Sequence, residues 1–396
     1  MIDTKKNLSK TNNQQKDHNL IRNIQFLRFL AAAMVVFAHS PLTLYGVSPY
    51  LIKLGGFGVD VFFVISGFII PFILFPRKEH TNDTTTISWA TFISRRFFRV
   101  WPLYFLMSLF VIALSYAILE TPLASNQDIA LAYNPSKLDL RLFLESMSFT
   151  HAFIAPTINV GWTLQFEFAF YITIALIMFM GVRRYETLTL SFACILFASS
   201  LTLAAVQSSG INTEHSAYRP LLLISHPMMF EFLLGMILFR IFRNGLLIRK
   251  SFALMAAVIA IPAFIVCERH DLFGGVGGTF HRTIVWGGFA FLLVWAALSL
   301  EKHIAAPKWS MLLGDSSYSL YLVHWLALPW ITYLIGISCG FDALNSTLLM
   351  IINLVSCIVI SIAVHLLIEK PIQQRFRKLQ QSWSMPASGI KALTAE

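Results

Sequence analysis

Ten long runs of apolar residues organise this sequence, each separated from the next by a polar or basic connection. They lie near 24–45, 56–76, 98–119, 160–181, 187–206, 221–242, 251–267, 281–299, 311–336 and 345–369. A helix needs about 20 largely apolar residues to cross a bilayer, and the runs are of that order. They are continuous rather than alternating, which argues against membrane-spanning strands. The pattern predicts an all-α, polytopic integral membrane helix bundle of about ten transmembrane helices. A polar tail over 1–22 precedes the membrane domain at 23–371, and a second tail over 372–396 follows it. The first tail lacks the apolar run of a cleavable signal peptide, so the first span is expected to act as an uncleaved anchor. No internal repeat suggests the matching halves of many transporters.

The longest outer connection, about 120–159, contains LDLRLFLESMSF (138–149). That stretch has helical periodicity but is too short to span. It reads as an interfacial or re-entrant helix, either a lid or a plain surface helix.

Composition removes the soluble alternatives. The 396 residues are 56% hydrophobic and 13% charged, against about 45–50% and about 25% in soluble domains. The net charge of +10 is a topology signal before it is a nucleic-acid signal, because cytoplasmic loops collect Lys and Arg. With the N-terminus inside, 23 of the 30 basic residues fall on the cytoplasmic side and six outside, with Arg28 within a span. That split predicts that both termini are cytoplasmic. Cys194, Cys267, Cys339 and Cys357 form no CxxC pair and read as small buried hydrophobes. No metal site is expected.

Ionisable groups in hydrocarbon are costly, so each one is a functional candidate. Here they are Arg28, His39, Asp60, Glu167, His226, Glu231 and His324. Arg28 and His39 are eleven residues apart, close to three turns, and so share a face about 16 Å apart. The alternating span directions put His39, Glu167, His226, Glu231 and His324 between the outer half and the middle of the membrane, where one polar cavity could hold them. SRRFFRVWP (94–102) places Arg95, Arg96 and Arg99 at the inner mouth of the third span, with Arg95 and Arg99 on one face. Arginine binds phosphate oxygens bidentately, but inner-face arginines also serve as topological anchors. A neutral histidine is the usual general base near pH 7. The layout suits a phosphorylated cytoplasmic donor that sends a long arm toward a histidine, which deprotonates an acceptor arriving from outside.

The residues that carry this layout resemble the acyltransferase type 3 family of bacterial membrane acyltransferases. NIQFLRFLAAAMVVFAHS (23–40), GGFGVDVFFVISGF (55–68), RRFFRVWPLYF (95–105), NVGWTLQFEFAFY (159–171), GDSSYSLYLVHW (314–325) and LIEKP (367–371) follow the family's order. The opening and the GWTLxxE stretch look most similar to exopolysaccharide and lipopolysaccharide O-acetyltransferases. The resemblance implies O-acylation, usually O-acetylation, of extracytoplasmic carbohydrate in the bacterial cytoplasmic (inner) membrane. The partners it implies are acetyl-CoA or another acyl-CoA as co-substrate, a carbohydrate or lipid-linked sugar acceptor, and the lipid bilayer. No permanently bound cofactor and no nucleic acid are implied. Some relatives carry an added esterase-like domain after the last span; none is expected here.

Carried over residue by residue, His39 is the expected base and Glu167 its orienting group or a holder of the acceptor hydroxyl. Arg28, Arg95, Arg96 and Arg99 are the expected CoA ligands. Asp60, Trp162, Tyr318 and His324 are candidates for the acceptor side, and Tyr321 belongs to the same late motif. Asp60 has the alternative of pairing with an arginine, and His324 that of a satisfied structural histidine. Ser66 reads as a small packing residue, and His365 as structural. Two rivals stay open on sequence: a carrier or flippase without transfer chemistry, and an enzyme that passes the acyl group through a protein residue.

Overall fold

The computed structural model describes residues 21–40, 54–75, 84–85, 87–152, 154–213, 216–269, 281–339 and 346–384. Both tails lie mostly outside the described residues, as does the Cys339 side chain. Among the described residues the chain is helical, without a strand beyond an isolated bridge between Thr84 and Arg184. Helix α1 spans Arg22–His39, α2 Phe57–Leu74 and α3 Trp89–Ile118. The connection that follows folds into short helices α4 (Gln127–Ala132) and α5 (Leu140–Met147). Then come α6 (Trp162–Phe179), α7 (Tyr185–Ser208), α8 (Arg219–Ile224), α9 (Met229–Arg243) and α10 (Lys250–Arg269). A π turn at Thr283–Gly287 leads into α11 (Gly288–Leu300), followed by α12 (Ser310–Asp315) and α13 (Ser317–Cys339). Helix α14 (Ser346–Val364) continues through a second π turn, His365–Glu369, into α15 (Lys370–Ser384).

Among the described residues, eight segments are long and apolar enough to cross a bilayer. They coincide with eight of the ten predicted runs, which makes this a multi-pass membrane protein. The other two runs are helical but less apolar or shorter. Helix α1 carries Arg22 and Arg28 in its 18 residues. The sixth run is broken between α8 and the 15-residue α9. The break is at Pro227, which lacks an N–H and biases His226 before it away from helical geometry.

The bundle is assembled around α2, whose glycines bring backbones together. A Cβ at Gly58 would strike the Ala31 carbonyl of α1. One at Gly67 would strike the Phe232 carbonyl of α9, and one at Gly235 the Val64 carbonyl of α2. Lipid offers helices little hydrophobic reason to associate, so close van der Waals approach over small residues supplies much of the attraction. Phe63, Phe232 and Phe170 stack beside this contact, with ring centroids 4.7 and 4.5 Å apart.

The start of α1 is held by a distant residue. Ile21 gives it no side-chain cap. Instead Glu301 accepts from the Arg22 and Asn23 amides at 2.9 and 2.8 Å, answering two of the orphan donors at a helix N-terminus. Asn23 in turn donates to the Ala297 and Ile304 carbonyls at 3.1 and 3.0 Å.

Gly235→Leu should therefore sharply reduce the yield of monodisperse protein and lower Tm, since overpacking of this kind costs about 1–3 kcal/mol or more. Gly288→Ala is the control: nothing lies within 4 Å of its added Cβ, so Tm should hold or rise. Equal Tm values for the two variants would refute the backbone contact.

Candidate functional site

Arg28 and His39 face two different cavities from the same side of α1. A central cavity of about 310 Å³ is lined by Arg28 of α1, Ser66 of α2, Arg96 and Arg99 of α3, Glu167 and Tyr171 of α6, and Tyr318 of α13. Three guanidinium groups thus face one carboxylate. Arg28 Nη1 donates to Gln25 Oε1 at 3.1 Å. Glu167 accepts from the Tyr171 hydroxyl and, at 3.4 Å, from Ser66 Oγ. Among the described residues none of Arg28, Arg95, Arg96 and Arg99 is in an ion pair. Arg96 is 8% exposed, and its Nε has no hydrogen-bond partner. A cavity with a buried excess of positive charge suits an anionic ligand.

At its arginine end this cavity shares Arg96 and Arg99 with a second one, a groove of about 640 Å³. Arg95 and Arg377 also line that groove, and among the described residues no carboxylate does. Arg377 lies on α15 with Gln373, Phe376 and Gln380, which complete the wall. Phe376 stacks on Phe98 with centroids 4.0 Å apart, and Gln380 Nε2 donates to Ser94 Oγ at 3.1 Å. Sequence reasoning did not find this wall, because it treated the segment after 371 as a tail. The signal was there in RFRK: Arg375 to Lys378 is a basic run of the kind already noticed on α3. Glu369 pins the junction, accepting from Ser319 Oγ at 2.7 Å and from Gln373 Nε2 at 2.9 Å, and meeting His365 Nδ1 at 2.8 Å.

At the opposite end lies a cavity of about 440 Å³ lined by His39, Asn159, Trp162, Gln165, Phe166, His226 and Trp325, among others. His39 Nδ1 is 2.9 Å from the Val35 carbonyl, and His324 Nδ1 is 3.1 Å from the Leu320 carbonyl. A carbonyl only accepts, so each Nδ1 carries the proton. In the neutral rings this leaves both Nε2 atoms as lone pairs. His324 Nε2 lies 3.2 Å from His39 Nδ1 and shares that N–H with Val35. His39 Nε2 is left as an available base, and any positive charge on its ring would be delocalised toward two acceptors. Trp325 meets His39 edge-on at 5.2 Å. His324 is fully buried behind His39.

The start of α6 stands between the central and histidine-end cavities and lines both. Thr163 and Leu164 line one, and Val160, Trp162, Gln165 and Phe166 the other. The Tyr321 hydroxyl closes the seam, 2.7 Å from Thr163 Oγ1 and 2.7 Å from the Val160 carbonyl.

The remaining expected residues divide clearly. Glu167 lies in the central cavity with the arginines, and the side chain that meets His39 is His324. Of the four candidates for the acceptor side, only Trp162 lines the histidine-end cavity. Tyr318 lines the central one and donates to the Val100 carbonyl at 2.8 Å. Asp60 lines no cavity described here: it is fully buried in a bidentate pair with Arg282 at 2.9 and 2.8 Å, and Arg282 stacks on Trp286. Glu231 is buried beside that pair. Ser66 bears on Glu167, while Gly67 beside it makes the helix contact. Cys357 is buried, but Cys194 is on an exposed face of α7.

The connection between α3 and α6 covers the histidine end. The predicted helix is present as α5, but its residues do not line the cavity; Ala152, Ile154 and Ala155 after it do. The α5 side is fastened to α3 through Trp101 Nε1 and the Met147 carbonyl at 3.1 Å. Arg219 reaches Glu145 at 3.3 Å and the Thr150 carbonyl at 3.0 Å. Arg141 and Arg219 hold the Glu145 carboxyl below its ordinary range although burial opposes them. His151 is fully buried with neither ring nitrogen bonded among the described residues, and burial pulls it down to about 4. Burial likewise pulls Lys137 down to about 8.

Comparison with known proteins identifies the family. A family model described as an acyltransferase domain matches residues 21–368. Exopolysaccharide production protein ExoZ of Rhizobium meliloti (strain 1021) is 30% identical over 328 residues, 82% of this chain and 91% of its own length. Acyltransferase MdmB of Streptomyces mycarofaciens is 23% identical over 309 residues, 75% of this chain and 74% of its own. No solved structure matches the chain.

The buried His151 makes the cover acid-sensitive. Its folded pKa lies below the ordinary 6.5, so the unfolded chain binds the extra proton first and stability falls as pH drops from about 6.5 to about 4. His151→Leu should flatten that part of the Tm–pH curve, by up to about 3 kcal/mol. Parallel curves for wild type and variant would contradict the assignment.

Proposed function

The chain belongs to the acyltransferase type 3 family of membrane O-acyltransferases, and from that premise we propose that His39 is the general base of transfer from cytoplasmic acetyl-CoA to an extracytoplasmic carbohydrate. The reading rests on one observation above all. A histidine held with a bare Nε2 and a set of unpaired arginines stand at opposite ends of adjoining cavities.

In this reading ten helices cross the bacterial inner membrane, with both termini and the arginine end in the cytoplasm. The positive-inside distribution of Lys and Arg supports that orientation. The CoA phosphates bind Arg95, Arg96, Arg99 and Arg377, with Arg28 further along the path. The pantetheine arm follows the central cavity and passes the Thr163–Tyr321 seam. His39 Nε2 takes the acceptor hydroxyl's proton as the oxygen attacks the thioester carbonyl. The C–S bond breaks, and His39 returns the proton to the CoA thiolate. His324 and the Val35 carbonyl share the His39 Nδ1 proton throughout and steady the transient imidazolium. The name of the Rhizobium relative, an exopolysaccharide production protein, supports a surface polysaccharide as the acceptor.

The test is release of free CoA thiol from acetyl-CoA by detergent-purified protein given a crude bacterial surface-polysaccharide fraction. His39→Ala should lose about 10²–10⁴-fold in turnover, the usual contribution of a positioned base, while still binding acetyl-CoA. Near wild-type turnover by His39→Ala would rule out the base assignment. Arg99→Ala should instead raise the KM for acetyl-CoA about tenfold with kcat nearly unchanged, the loss of one charge-assisted hydrogen bond. An unchanged KM would remove Arg99 from the donor site.

A further inference from the structure

Asn159 opens the turn that leads into α6 and lines the histidine-end cavity. Its amide oxygen accepts from Lys137 Nζ at 2.7 Å. An ammonium group only donates, so the oxygen must face the lysine and the NH₂ must face away from it. That NH₂ has no hydrogen-bond partner among the described residues. Lys137 is itself buried and gives a second N–H to the Pro156 carbonyl at 3.1 Å. Among the described residues it forms no ion pair.

Gln165, six residues on, lines the same cavity and is 2% exposed. Its Nε2 donates to the Ala152 carbonyl at 2.6 Å, which leaves Oε1 buried without a partner among the described residues. A buried acceptor left unsatisfied is costly, and a ligand hydroxyl would satisfy it. The cavity therefore offers one donor and one acceptor, each with its orientation fixed from behind. Around them are the aromatic faces of Trp162, Phe166 and Trp325, and among the described residues the lining contains no Lys, Arg, Asp or Glu.

We infer that Asn159 and Gln165 bind the non-reacting hydroxyls of the acceptor, that Lys137 is a positioning residue for Asn159, and that the sugar seated here is uncharged. The inference rests on the histidine-end cavity being the acceptor end. A hydroxyl both donates and accepts without charge, and a sugar ring presents several beside C–H faces that pack on aromatic rings. A carboxylated or phosphorylated sugar would enter this cavity with no Lys or Arg among its described lining residues to meet it.

Binding can be measured apart from turnover. The full-length protein in detergent is titrated with the methyl glycosides of glucose, galactose, mannose and glucuronic acid, read by tryptophan fluorescence. At least one neutral glycoside should shift the signal saturably, and the glucuronide should not. Asn159→Asp keeps the shape and the Lys137 contact but replaces the donor by an acceptor, and should raise Kd about tenfold or more. Gln165→Met should do the same from the other side, and Lys137→Met should weaken binding by freeing the Asn159 amide to turn. Gly288→Ala, which lies outside this cavity and has open space at its Cβ, should bind as wild type does. Binding with these properties but undiminished turnover by His39→Ala would remove the base assignment and leave the subsite standing. No neutral glycoside binding to wild type, equal binding by a folded Asn159→Asp variant, or equal affinity for the glucuronide would overturn the proposal.

Discussion

The arrangement depends on where α1 is held. Its backbone lies against α2 through Gly58, and its first turn is capped by Glu301 from the far end of α11. Those contacts fix the helix along its axis and about it. Arg28 and His39, three turns apart, then open on adjoining cavities rather than on lipid. A bundle held only by greasy side chains could slide or rotate by a fraction of a turn; backbone contact over glycine leaves little room for that.

The ionisable groups inside the bundle fall into two kinds, and the distinction decides what each is for. Asp60 and Arg282 satisfy one another in a bidentate pair, and Glu301 is spent on backbone amides. These are parts of the architecture. Arg28, Arg96 and Arg99 face a cavity with a single carboxylate among them, and Arg96 leaves a buried N–H unbonded. A membrane protein bears such a cost where a ligand offsets it. His39 is intermediate: its Nδ1 is fixed by Val35 and His324, and its Nε2 is left open.

Much of this was legible in the sequence, for physical reasons. Apolar runs report helices because hydrocarbon demands them, and each predicted run is largely helical over its described residues. The Arg28–His39 spacing reported a shared side because helical periodicity is rigid over three turns. What the sequence could not give was pairing between distant elements. The His39–His324 contact joins residues 285 apart, and Asp60 finds Arg282 across 222. The sixth run looked continuous because Pro227 is one residue in an apolar stretch, yet it separates α8 from α9. Glu167 was expected near His39 from its depth and from the family resemblance, and lies instead with Tyr171 and Ser66, since neither fixes the side of a helix that faces inward. The α15 wall of the arginine groove was hidden because helices that leave the membrane lose the apolar signature that reveals the others.

The central claim is that donor and acceptor approach from opposite ends of one path. Sealed proteoliposomes of known protein orientation test it directly, with radiolabelled acetyl-CoA on one side and a crude surface-polysaccharide fraction on the other. The account predicts that label reaches polysaccharide only when acetyl-CoA meets the arginine face and polysaccharide the histidine face. Efficient transfer with both substrates confined to the same face would contradict it.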